Sequence, residues 1–320
     1  MTAMVEISHL TKRFGAITAV DDVSFQVHKG EVLGFLGPNG AGKSTTMRMI
    51  TGFLNPDHGS VMIGGDDLAR DPVAAKKRIG YLPEGAPLYG DMTPAAFLNF
   101  VADIRALKGA AKQQRLADII ATVNLAPVLH QPIATLSKGF KRRLGLAQAI
   151  LHDPEVLVLD EPTDGLDPNQ KQEVRALIRS MAENKAIILS THILEEVDAV
   201  CSRAMIIARG QVVADGAPAE LEARSPRHNA VILEVRGDPA AAYAALQNLP
   251  NVTEVTILEQ QPDRVRYQLL PKTGSSLVTA VGEAARNHGW DVTELHVERG
   301  RLDEVFRAIT TGNPPEEICP

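Results

Sequence analysis

Residues 37–44 read Gly37-Pro38-Asn39-Gly40-Ala41-Gly42-Lys43-Ser44 and match the pattern G-x-x-x-x-G-K-[ST]. An apolar stretch, 31–36, runs straight into this segment and a helical stretch, 44–49, leaves it. The segment is therefore a strand-to-helix turn, the context in which this pattern cradles phosphates. Its glycines let backbone N–H groups turn inward without Cβ clashes, and the helix N-terminus adds partial positive charge. Lys43 is placed to reach the β- and γ-phosphates of a nucleotide, and the Ser44 hydroxyl to ligate Mg²⁺, with Thr45 beside it.

Working outward, the first ~220 residues alternate short apolar runs with helical patterns, the mark of an α/β domain with a largely parallel sheet. The runs 31–36, 156–159 and 186–189 are continuously apolar, as expected of strands covered on both faces. The second ends in Asp160-Glu161 and the third leads into Ser190-Thr191-His192. Strand ends of this kind are where α/β folds place ligands. Asp160 is positioned to hold Mg²⁺, and Glu161 to orient or deprotonate an attacking water. On these two residues alone, a solvated turn or a helix-capping carboxylate is an open alternative. Between 85 and 150 the pattern becomes helical, with segments at 95–108, 113–124 and 141–151, and reads as an insert within the α/β domain.

The segment 222–228 has Pro, Ser and charge without an apolar period and reads as a linker. Beyond it, strand at 230–236, helix at 239–246, strands at 252–258 and 264–270, helix at 276–287, strand at 292–297 and helix at 302–309 succeed one another. The order β-α-β-β-α-β matches the ferredoxin-like plan. Two domains follow, 1–225 and 229–313.

Composition restricts the function classes. The 44% hydrophobic and 22% charged content is that of a globular chain able to bury a core without disulfides or metals. A net charge of −6 argues against nucleic acid as a partner, and the runs Lys76-Lys77-Arg78 and Lys141-Arg142-Arg143 read as solvated helix faces. Cys201 and Cys319 stand far apart outside any metal or redox motif, which fits a reducing cytosol. No secretory signal is visible, and no apolar run approaches the roughly 20 residues that span a bilayer.

Further motifs make a resemblance specific. Leu136-Ser137-Lys138-Gly139-Phe140 resembles the LSGGQ signature of the ABC ATPases, with Ser137 and Gly139 kept and Lys138 and Phe140 departing from it. Ile79-Gly80-Tyr81-Leu82-Pro83-Glu84 resembles the family's Q-loop with Glu84 in place of glutamine, and Gly165-Leu166-Asp167-Pro168 resembles its D-loop. Phe14 stands where an aromatic residue stacks on adenine, and His192 where the switch histidine stands. The resemblance covers about residues 4–225 and all six motifs come in the family's order.

It implies a P-loop ABC ATPase domain, with a mixed sheet and a helical subdomain, followed by a small α+β domain. It implies ATP and Mg²⁺ as ligands. ATP would be bound by Phe14, residues 37–44 and Thr45, Mg²⁺ by Ser44, Glu84 and Asp160, and Glu161 and His192 would act in catalysis. Ser137, Lys138 and Gly139 would cap the ATP of an opposite subunit, with Asp167 at the dimer interface. The implied partners are a second copy or a related ATPase and an ABC-2-type membrane permease, at the cytoplasmic face of the membrane. The close Arg301-Leu302-Asp303-Glu304-Val305-Phe306 resembles the LEEVF-type ending of ATPases that pair with such permeases, including drug-export and gliding-motility systems. Whether the tail acts or only packs stays open at this level.

Overall fold

The computed structural model describes residues 3–85, 87–236, 239–272 and 275–311, and the chain divides into two compact units, Met1–Pro218 and Ala219–Pro320. The first unit begins with β1 (Ala3–Phe14), β2 (Ile17–His28), β3 (Val32–Leu36), α1 (Lys43–Ile50), β4 (His58–Ile63), β5 (Asp66–Asp67), α2 (Pro72–Lys77) and β6 (Ile79–Leu82). The helical insert follows as α3 (Pro94–Ile104), α4 (Gly109–Thr122) and α5 (Lys138–Ile150). The chain then returns to the sheet through β7 (Val156–Asp160), α6 (Pro168–Ala182), β8 (Ala186–Thr191), α7 (Leu194–Val200), β9 (Arg203–Ala208) and β10 (Gln211–Gly216).

The central sheet has the order β10-β9-β3-β8-β7-β6, parallel from β9 to β6 with β10 antiparallel at one edge. Alternation along its strands feeds two cores. Leu157, Leu159, Ile187 and Leu189 enter a core shared with α3, α4 and α5. Val156, Val158, Ala186 and Ile188 enter another, shared with α1 and with the antiparallel sheet β2-β1-β4-β5. Because both faces are covered, the strands read as unbroken apolar runs. Gly80 on β6 allows α5 to approach, since a Cβ there would stand 2.1 Å from the Ala149 carbonyl oxygen.

Several boundaries differ from those read in the sequence. The helix expected at 95–108 ends at Ile104, where Ala106 adopts φ 59°, and the helix expected from 113 begins at Gly109. The helix expected from 141 begins at Lys138, because Ser137 caps it by accepting a hydrogen bond from the Phe140 N–H at 3.3 Å. Strands β1 and β2 lie before the first run that the sequence reading singled out. Their register shifts between Ile7, Leu10, Lys12 and Arg13, which breaks the two-residue alternation that marks a strand.

The second unit comprises α8 (Pro218–Glu222), β11 (Val231–Arg236), α9 (Pro239–Gln247), β12 (Val252–Gln260), β13 (Arg264–Pro271), α10 (Val278–Asn287), β14 (Asp291–Val297) and α11 (Leu302–Thr311). Its sheet, β12-β13-β11-β14, is antiparallel throughout, the ferredoxin-like topology. Val231, Leu233, Tyr267, Leu269 and Val281 form its core. Residues 219–225, which the sequence reading assigned to the first domain and to a linker, group with this second unit. Ser225 Oγ donates to Glu304 at 2.7 Å and Arg227 pairs with the same carboxylate at 3.3 Å, so α11 fastens the segment. Residues 312 and 313 of the expected second domain lie outside the described residues.

Candidate nucleotide site

The loop after β3 owes its path to glycine at two places. Gly42 adopts φ 109°, and a Cβ there would meet the Ala19 carbonyl oxygen at 2.4 Å. At Gly37 a Cβ would stand 2.5 Å from the Ile207 carbonyl oxygen. The turn delivers Lys43 and Ser44 as the first residues of α1, one residue earlier than the periodicity indicates. Lys43 Nζ donates to the carbonyl oxygens of Gly37, at 2.6 Å, and Pro38, at 3.2 Å. Burial draws the Lys43 ammonium below its usual pKa, while Glu161, Asp160 and Glu84 oppose that shift.

A cavity of about 430 Å³ opens over this loop. Phe14, Asn39, Gly40, Gly42, Lys43, Ser44 and Thr45 line it, joined from two other strand ends by Glu84 and Glu161. The half-exposed Phe14 ring at the end of β1 presents the apolar surface that a stacking base needs. Gly37, Pro38 and Ala41 do not line the cavity. The first two hold Lys43 through their carbonyls, and Ala41 is buried beneath the loop.

Asp160 and Glu161 close β7 and have different surroundings. Asp160 is buried and accepts from the Ser190 hydroxyl and, at 3.4 Å, from the Ser44 hydroxyl. Glu161 has φ 51°, uncommon for a residue with a side chain, and its N–H donates to Ser190 O at 3.2 Å and Ser190 Oγ at 3.1 Å. Its carboxylate lies 3.0 Å from His192 Nδ1 through either oxygen. Burial pushes the Glu161 pKa up, and His192 and Lys43 pull it back. Asp160 thus offers an anchored oxygen, and Glu161 a carboxylate with an incentive to take a proton.

Among the described residues no cluster of three or more His, Cys, Asp or Glu is arranged to hold a metal by itself. The hydroxyl of Ser44, the nearby Asp160 oxygen and Glu84 on the cavity wall instead suit a hard cation that takes its remaining ligands from phosphate and water.

Ser137, Lys138, Gly139 and Asp167 are absent from the cavity wall. Ser137 caps α5, and Lys138 and Gly139 form its first turn. Asp167 caps α6 by accepting from the Gln170 N–H at 2.9 Å. A Cβ on Gly139 would come within 2.5 Å of the Gln170 side chain, so the two helix starts are neighbours. Both helix starts carry the partial positive charge of their N-terminal N–H groups.

Two residues that the sequence reading did not single out stand in this centre. Ser190 bridges Asp160 and the Glu161 backbone. Arg142, expected on a solvated face, is buried behind the acidic pair and donates only to backbone carbonyls. Contacts with backbone atoms leave no pattern in the sequence. A basic run with one position turned inward reads like any solvated run.

Comparison with known proteins agrees with this geometry. The family model described as ABC transporter matches residues 20–164. The linearmycin resistance ATP-binding protein LnrL of Bacillus subtilis is 32% identical over 308 residues, which cover 96% of this chain and 98% of that protein. The Nod factor export ATP-binding protein I of Paraburkholderia xenovorans is 35% identical over 275 residues, covering 83% of this chain and 90% of the relative. A solved ATP-binding subunit of an ABC transporter superposes with a TM-score of 0.64 at 32% identity, over 68% of this chain and 92% of that one.

Proposed function

Because the chain belongs to the ATP-binding subunits of the ABC transporter family and is an ATPase, we propose that it powers export through a separate ABC-2-type membrane permease. The observation that carries the reading is the position of Glu84. It lines the cavity over the phosphate loop and also a neighbouring groove of about 590 Å³, whose walls include Phe53, Tyr81 and Arg105. Phe53 is 74% exposed there, an apolar side chain suited to a partner helix. A change at the γ-phosphate therefore reaches the groove through one residue. Among the described residues no helix is long and apolar enough to cross a membrane. In this reading the permease is another chain, met at the cytoplasmic face.

In this reading two chains, identical or related, clasp two ATP molecules. The loop at 37–45 grips the phosphates, and Lys43 neutralises their charge. Phe14 stacks on the base. Ser44, Asp160 and Glu84 would hold Mg²⁺, which would supply positive charge against the charge that develops on the phosphates. Glu161 orients a water for in-line attack on the γ-phosphorus and takes its proton as ADP leaves, while His192 holds that carboxylate and faces the same phosphate. Ser137, Lys138 and Gly139 of one chain cap the γ-phosphate held by the other, with Asp167 beside them. The names of the resistance and export relatives support the outward direction.

The test is Glu161→Gln. Steady-state phosphate release should fall by about 100-fold or more, with ATP affinity retained. With ATP and Mg²⁺ the variant should sediment as a dimer. Turnover near the wild-type rate would remove Glu161 as base, and a monomer at saturating ATP would remove the clasp.

A further inference from the structure

Arg142 is 7% exposed, yet among the described residues it makes no ion pair. Its Nε–H donates to Pro162 O at 3.2 Å and its Nη1–H to Pro83 O at 3.2 Å, while Nη2 donates to the carbonyl oxygens of Asp160 and Glu161. One planar guanidinium thus joins three segments: the start of α5, the end of β6 just before Glu84, and the whole turn after β7. Burying a cation is costly, and carbonyl dipoles compensate less than a carboxylate does. Burial does draw its pKa down, against the pull of Asp164, Asp160, Glu161 and Glu84. Apolar residues could fill the space without that cost, so the contacts themselves call for a reason.

The reason lies in Glu161. Its left-handed backbone is strained for a residue with a side chain and persists only where neighbours fix it. Ser190 fixes the N–H side of the residue. Arg142 fixes its carbonyl side and the carbonyls before and after it. The direction of the Glu161 side chain follows from that backbone. We propose that Arg142 is a positioning residue for hydrolysis: its guanidinium fork locks the Asp160–Glu161–Pro162 turn so that the Glu161 carboxylate faces the attacking water, and ties that turn to the Glu84 loop. The inference rests on the reading of Glu161 as base.

Lysine keeps the charge but has one point of attachment, which cannot span four carbonyls on two segments. The experiment compares Arg142→Lys, Arg142→Met, Glu161→Gln and the double variant Arg142→Met/Glu161→Gln in the full chain. It measures kcat and KM for Mg·ATP, with thermal melting as the check on folding. Arg142→Met should lower kcat roughly 100-fold, the cost of misplacing a catalytic group by about an ångström. KM should move by less than about threefold, because the phosphate loop and Phe14 do not touch Arg142. Arg142→Lys should recover less than about a tenth of the lost rate. If Arg142→Met does not fold, Arg142→Lys carries the comparison through the same split between kcat and KM.

The double variant should turn over no more slowly than Glu161→Gln alone, because a positioning residue has nothing left to position. Full activity in Arg142→Lys, an unchanged kcat in Arg142→Met, or multiplying losses in the double variant would each overturn the proposal. The reading of Glu161 fails separately, if Glu161→Gln alone keeps its turnover.

Discussion

At the scale of single residues, the polar groups around the phosphate loop differ in how far their chemistry shows in the chain. Lys43 and Ser44, at the start of the helix after β3, and Asp160, Glu161 and His192, at or just after strand ends, announce themselves because their functional atoms are in the side chain. Ser190 and Arg142 do not, because what they hold is backbone. His152 was equally silent, and it supports a prediction about pH. Its Nε2 lies 3.0 Å from Ile79 O, its Nδ1 is buried without a hydrogen-bond partner among the described residues, and burial near Arg105 lowers its pKa to about 4. The native imidazole is neutral over a range in which an unfolded one, with a pKa near 6.5, is protonated. The unfolded state therefore binds more protons between about pH 6.5 and 4, so this group's contribution is complete above that window and lost as pH falls through it. From pH 8 to pH 5 the loss is at most about 2 kcal/mol. His152→Gln, whose amide can still donate to Ile79 O, should flatten the acid side of the stability curve by that amount, measured as urea midpoints at the two pH values. An unchanged slope would mean that another group carries the acid sensitivity.

At the scale of elements, unbroken apolar runs gave β3, β7 and β8 correctly because two cores cover them, and the ferredoxin-like order was readable from strand alternation together with helical spacing. Helix starts were less legible. Thr93-Pro94 signals the start of α3 by cap and proline together, whereas Lys108 before α4 has no capping side chain and gives no signal. At α5 a glycine in the first turn hid a start that Ser137 specifies. This cap separates two roles of one residue. As N-cap, Ser137 accepts from the Phe140 N–H, which leaves its own hydroxyl proton to donate. Ser137→Ala should cost about 1 kcal/mol of stability from the lost cap. Under the clasp reading it should also slow ATP turnover by about tenfold or more, since a donor to the γ-phosphate of the opposite chain is gone. Ser137→Asp divides the roles, because it keeps the cap acceptor while placing a negative charge toward phosphate. Its melting temperature should match the wild type and its turnover should fall below that of Ser137→Ala. Equal turnover in all three proteins would confine Ser137 to capping.

At the scale of the whole molecule, the chain keeps its chemistry and its appendage in separate cores. The two cores of the first unit contain no residue beyond Ile207 among their buried members, with Val212 packed against one of them. The core of the second unit begins at Val231. Every group proposed to touch nucleotide, from Phe14 to His192, lies in the first unit. A cut should therefore follow the contact boundary and not the composition change near 225. Ending the chain at Pro218 removes no member of either core. Ending it at Arg224 keeps α8 but takes away the unit with which it groups, leaving Leu221, fully buried in the whole chain, without those neighbours. Fragment 1–218 should fold, bind Mg·ATP within about threefold of the full chain and, carrying Glu161→Gln, still pair in its presence. Fragment 1–224 should bind ATP as well but self-associate more without nucleotide, seen by light scattering. If 1–218 binds ATP yet no longer pairs, the second unit supplies contacts between chains and is more than a packing appendage. If it pairs as the full chain does, the clasp is built from residues 1–218 alone, and the task of the second unit has to be sought in the full transporter.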